Sequence, residues 1–225
     1  MNIDILLYDG FDELDGIGPY EVFDYALGYA AEAASDAGDD ETADDAESAG
    51  HSGRVRYVTL DEREQVTASH GTRVGVDGVL PDPNGEDAPD LLVVPGGGWT
   101  ARDEDASAWA EARKGDVPRA LGEYHAGGVR TAAVCTGAML LAEAGVTDGR
   151  RAVTHASAID ELRESGAEIV DARVVDDGDL LTAGGVTSGI DLALHLVERE
   201  FGEAIADRVA TVIEYERRYE VAGEE

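Results

Sequence analysis

The sequence is poor in the residues on which several classes of function depend. One cysteine, Cys135, stands among 225 residues, so no disulfide framework can form within a single chain. Lysine is nearly absent: Lys114 is alone, and lysine and arginine together number 17 against 49 aspartates and glutamates, a formal net charge of -32. That balance repels the phosphate backbone and argues against nucleic acid as a partner. No basic start leads into a long apolar run, which argues against secretion or membrane insertion and for a cytoplasmic protein. No Cys or His cluster has metal-ligand spacing, no acidic run forms an EF-hand loop, and "YDGFDELDG" after the first apolar segment is not G-x-G-x-x-G. Neither metal nor cofactor is expected.

What the chain has in excess is acid, spread over nearly every segment. Two readings compete, a polyanionic surface for a basic partner and adaptation to a salt-rich cytoplasm. The even spread and the lack of lysine favour the second, because molar salt, with a Debye length of about 3 Å, screens most of the self-repulsion. The acid is densest from Ala31 to Gly53, where eight acidic residues meet no basic ones and almost nothing large and apolar. That stretch reads as an exposed or disordered insertion in an otherwise single domain spanning residues 1–225.

Around the insertion, strand and helix patterns alternate. "NIDILLY" (2–8) reads as a buried strand and "GPYEVFDYALGYA" (18–30) as a helix. Segments 54–60, 65–69 and 72–80 read as short strands, and "DLLVVPGGG" (90–98) as a central parallel strand ending in glycines. One or two alanine-rich helices fill 103–126. The strand "GVRTAAV", a helix over 136–144, a strand over 151–155 and a helix over 157–165 follow. A hairpin over 173–185 turns at Asp177 and Gly178, and a long amphipathic helix follows it. This order predicts a flavodoxin-like, doubly wound α/β fold: a mostly parallel sheet sandwiched by helices, with a small β-hairpin, its sites outside the carboxyl ends of the strands.

Cys135 falls where the strand "RTAAV" gives way to a helix, followed by Thr136 and Gly137. A helix N-terminus favours thiolate, so the position suits a nucleophile elbow; a buried cysteine kept for its volume fits it equally well. The glycines of "VVPGGG" end a neighbouring strand and offer N–H donors from Gly96, Gly97 or Gly98, or form a plain turn. Asp15 and Glu21 follow the first strand, and either could be a buried carboxyl facing the sulfur.

Together "VVPGGG", "AAVCTGAMLLAEAGVTDGRRAVTH" and "LLTAGGVTSGIDLALHLVE" resemble the ThiJ/PfpI superfamily, related to class I glutamine amidotransferases. The "LDGIGPYEVF" start and the Cys-Thr-Gly elbow look most like isonitrile hydratase and the ligand domains of AraC-type regulators. The resemblance implies Cys135 as nucleophile, Asp15 as its acidic partner, Thr136 as an assisting neighbour, Gly97 and Gly98 as loop donors, and His155, twenty residues on, near the sulfur. It implies a small-molecule substrate and, with the frequency of two-fold oligomers, a homodimer. Thr136 stands where peptidase-like and deglycase-like members often have histidine, and His195 is followed by Leu196 and Val197, not by the His-x-Glu pair of glutaminases. The expected activity is therefore isonitrile-hydratase-like addition of water to a small carbon electrophile. Its rivals are a ligand or redox sensor with an oxidisable cysteine and an aldehyde-detoxifying enzyme of the same superfamily. The final helical stretch, 203–219, leaves no expected room for a helix-turn-helix pair.

Overall fold

A computed structural model describes residues 1–38, 53–217 and 221–223. In chain order its elements are β1 (Asn2–Leu6), α1 (Glu13–Gly38), β2 (Arg54–Thr59), β3 (Gln65–Thr67), β4 (Arg73–Gly75), β5 (Gly78–Val79), β6 (Leu91–Val94), α2 (Ala108–Lys114), α3 (Asp116–Ala126), β7 (Arg130–Val134) and α4 (Gly137–Glu143). Then come β8 (Arg151–Ala152), a 3-10 turn (Ala156–Ala158), α5 (Ile159–Glu164), β9 (Glu168–Ile169), β10 (Val174–Asp177), β11 (Leu180–Ala183), α6 (Ser188–Phe201) and α7 (Glu203–Val212). Seven strands form one sheet in the order β10-β11-β7-β6-β1-β2-β5, parallel except for β10. Helices α1, α6 and α7 pack together, as do α2, α3 and α4, so a mostly parallel sheet lies between helical layers. All four residues of β6 are buried, as a strand covered on both faces requires.

The chain runs from β1 outward to β2 and returns to the other side of β1 to lay down β6 and β7. The switch in winding direction thus falls between β1 and β6, where a doubly wound sheet opens a crevice at its carboxyl edge. The segments after β1, β6 and β7 all end there, and they carry Asp15, the glycine loop and Cys135.

Several local readings shift. α1 starts at Glu13, five residues before the helix expected from Gly18, and runs to Gly38 with Pro19 inside it. Gly16, Gly18 and Pro19 are poor helix formers, but packing overrides propensity: a Cβ on Gly16 would lie 2.9 Å from the Phe11 ring. Residues 31–38 of the acidic stretch continue this helix, and 39–52 lie outside the described residues. The segment 151–155 contributes only β8, paired with β9 outside the main sheet. The hairpin turns at Gly178 and Asp179, one residue later than expected, because Gly178 takes the positive φ (84°). Among the described residues no helix is long and apolar enough to cross a membrane.

Candidate active site

β7 ends at Val134, and the chain reverses into α4 within two residues. Cys135 makes this possible by adopting φ 56°, a left-handed conformation that costs a non-glycine residue about 1–2 kcal/mol. The strain is held from both sides: the Cys135 N–H donates to the Ala183 carbonyl at 3.0 Å, and the Thr154 hydroxyl donates to the Cys135 carbonyl at 2.9 Å. Glycines are needed around it for close approach. A Cβ on Gly137 would sit 2.1 Å from the Val94 carbonyl oxygen, and one on Gly96 would sit 2.4 Å from the Thr136 nitrogen. The glycine loop therefore lies directly against the elbow.

Two of the loop's N–H groups are engaged within the site. The Gly96 N–H donates to Asp15 Oδ2 at 3.0 Å, and the Gly97 N–H donates to Thr136 Oγ1 at 2.9 Å. Gly97, expected as an open loop donor, thus has its N–H occupied by the side chain beside the nucleophile position. No hydrogen bond occupies the Gly98 N–H among the described residues. Thr136 is buried, and because its oxygen accepts from Gly97, its own proton remains available to donate.

Asp15 is fully buried at the start of α1. Burial first, then the nearby Asp12 carboxylate, pushes its carboxyl up to about 8, against the pull of the Gly96 N–H and the Cys135 thiol. The thiol lies within reach of this carboxyl, but the contact is not aligned as a full hydrogen bond, and Asp15 Oδ1 has no partner among the described residues. Cys135 is itself only 6% exposed. Burial and the Asp15 charge push its thiol upward, and the Thr136 N–H offsets only part of this. The low-pKa thiolate expected from a helix N-terminus is therefore not what this geometry favours. α4 has only seven residues, and burial together with the Asp15 and Asp12 carboxyls outweighs that short helix. With both groups raised, their protonated forms are the favoured ones at neutral pH.

The other sequence candidates lie elsewhere. Glu21 is exposed on α1 and faces solvent rather than the sulfur. His155 uses its ring to cap the following 3-10 turn, with Nδ1 2.8 Å from the Ser157 hydroxyl, and among the described residues no hydrogen bond joins it to Cys135. Its neighbour Thr154 holds the elbow instead, a role that sequence reasoning passed over because a hydroxyl carries no titration signal. Among the described residues no group of three or more His, Cys, Asp or Glu could hold a metal ion.

Against known proteins, the chain is 46% identical over 82 residues to isonitrile hydratase of Pseudomonas putida, a match covering 36% of each chain. It is 32% identical over 178 residues to an HTH-type transcriptional regulator of Pseudomonas aeruginosa, covering 74% of this chain and 43% of the regulator. A deglycase of Pyrococcus horikoshii is 33% identical over 150 residues, covering 66% of this chain and 81% of the deglycase. The chain thus spans less than half the length of the first two relatives. Among solved structures, a ThiJ/PfpI family protein from Pseudomonas syringae superposes with a TM-score of 0.75 at 23% identity, covering 96% of this chain and 76% of the other. An AraC family transcriptional regulator from Pseudomonas putida superposes with a TM-score of 0.73 at 22% identity, covering 94% and 98%. These structures share the doubly wound fold, and since the model of the DJ-1/PfpI family matches residues 1–199, the chain belongs to that family.

Proposed function

We propose that this protein is a cysteine-dependent hydratase that adds water to a small isonitrile, R–N≡C, giving the N-substituted formamide. One observation carries the reading: the Thr136 hydroxyl accepts the Gly97 N–H, so the elbow presents an O–H donor beside the nucleophile, and of the loop's three glycines only Gly98 keeps an unengaged N–H among the described residues, short of the paired backbone donors of an oxyanion site. Acyl and aldehyde chemistry builds charge on an oxygen and needs such donors. An isonitrile has no carbonyl oxygen, and the imine nitrogen that forms once sulfur has bonded to its carbon can accept the Thr136 proton. The matched segment of isonitrile hydratase supports the same reading.

The acid–thiol pair supplies the rest. Asp15, protonated at neutral pH, gives its proton to the isonitrile carbon as Cys135 sulfur bonds to that carbon, and the thiol proton replaces it on Asp15. The S–H bond breaks, S–C and C–H bonds form, and the triple bond becomes the C=N of a thioimidate. Asp15 then protonates the nitrogen and takes a proton from water as its oxygen adds to the same carbon. Collapse breaks the C–S bond: Asp15 gives the proton it took from water to the departing sulfur, the new hydroxyl returns its own proton to Asp15, and the formamide leaves. Each turn consumes one isonitrile and one water and restores both protons.

The same reading takes the chain as one domain acting in the cytoplasm as a homodimer, adapted to high salt and without nucleic acid as partner; the net charge of -32 supports the last two. The test is a panel of small isonitriles with formamide detected by mass spectrometry. Turnover lost in Cys135→Ala and in Thr136→Ala supports the hydratase. Consumption of aldehydes without formamide formation identifies an aldehyde-directed enzyme, and saturable binding without turnover identifies a sensor.

A further inference from the structure

Tyr8 lies just beyond β1 and is 4% exposed. Its phenol donates to the Pro95 carbonyl at 2.8 Å, a buried contact between positions 87 apart in sequence. Pro95 is the first residue of the glycine loop, and its next two N–H groups are those that meet Asp15 and Thr136. The Asp12 N–H grips the loop one residue on, donating to the Gly96 carbonyl at 2.9 Å. The elbow rests on the same place, since a Cβ on Gly137 would lie 3.0 Å from the Pro95 carbonyl. Proline has no N–H and glycine no side chain, so this loop has few means of fixing itself.

Burial, with the charges of Asp15 and Cys135 next, keeps the phenol of Tyr8 well above its ordinary value, so it stays a donor across the working pH range. The described mechanism makes no use of Tyr8, although it is a buried hydroxyl at the carboxyl edge of the sheet.

We propose that Tyr8 is a positioning residue for the Cys135 and Asp15 pair: its phenol props Pro95, and so holds the Gly96 and Gly97 N–H groups where they meet Asp15 and Thr136. The proposal rests on the pair sharing protons and not on the substrate the pair serves. Without the prop, the loop relaxes, Asp15 loses a donor to its charged form, and it keeps its proton to higher pH.

The test uses iodoacetamide alkylation of Cys135 as a function of pH. Ionisation of Asp15 puts an inflection in this profile, because a charged carboxylate suppresses the neighbouring thiolate. Tyr8→Phe should move the inflection up by about one pH unit, the loss expected for weakening a hydrogen bond to a charged group. Tyr124→Phe is the matched control: Tyr124 is buried, and its phenol likewise donates to a proline carbonyl, that of Pro81, away from the site. It should lower the melting temperature without moving the inflection. An unmoved inflection in Tyr8→Phe, with a loss of stability like the control's, would overturn the proposal and leave Tyr8 a packing residue. If Tyr8→Phe does not fold, hydrogen exchange in the unsubstituted protein decides: Gly96 and Gly97 amides protected as well as those of β6 support the prop, and fast exchange overturns it. Failure to hydrate isonitriles leaves both measurements intact, so the two readings fail separately.

Discussion

Replacing Asp15 by asparagine removes the charge while keeping the shape of the side chain, and it should have opposite effects on reactivity and catalysis. Below about pH 8 the wild-type carboxyl is protonated, so alkylation of Cys135 should proceed at similar rates in both proteins. Above that pH the wild-type carboxylate is ionised beside the sulfur. Two like charges about 4 Å apart at an effective dielectric of ~20 repel by about 4 kcal/mol, or about three pH units of thiol acidity. Two units above the Asp15 pKa, the variant should hold about a hundredfold more thiolate. The wild-type thiolate, having the higher pKa, is the better nucleophile, and a Brønsted slope of ~0.4–0.5 reduces the rate advantage to about thirtyfold. Turnover of a hydratable substrate should instead fall by roughly 10²–10⁴, the range for losing a general acid or base. Pseudo-first-order alkylation rates from about pH 6 to about pH 10, followed by intact mass, give the comparison. Superimposable profiles at every pH would refute the reasoning, because they would mean that the Asp15 charge does not reach the thiol.

Stability should carry the same signature. The Asp15 pKa is raised in the folded protein, so its contribution is fully present below the unfolded carboxyl value of about 4 and is lost as pH rises through about 8. Asp15→Asn should therefore melt higher than the parent by roughly 10–20 °C at alkaline pH, a rise of about four pH units being worth about 5.5 kcal/mol, and show little advantage near pH 4, read by calorimetry. Gly137→Ala should lose more than about 3 kcal/mol in denaturant unfolding, because its Cβ would strike the Val94 carbonyl at 2.1 Å and backbone cannot yield as a side chain can. Melting measured from dilute buffer to molar KCl should rise steeply, since 49 carboxylates face only 17 lysines and arginines; a constant midpoint would point to a polyanionic binding surface instead.

The sequence by itself determined the alternation of elements and the position of Cys135 between a buried strand and a helix. A run such as "LLVV", and "TAAV" with its small and β-branched residues, suits a strand covered on both faces, and parallel strands end at a common edge. It also carried the glycines, which are legible because close backbone approach admits no other residue. What it left undecided was where each polar group would point. Asp15 and Glu21 looked alike in one dimension; α1 starts early enough to carry both, and its packing buries one and exposes the other. His155 drew attention as a titratable group, but the Thr154 hydroxyl beside it is what reaches the elbow. The direction of the thiol's shift was likewise tertiary. A helix N-terminus is visible in sequence, but the burial that overrides it comes from strands and loops far apart in the chain. Desolvation and hydrogen-bond direction depend on all the neighbours at once, and for Cys135 those neighbours come from β6, β7, β11 and the turn before α1.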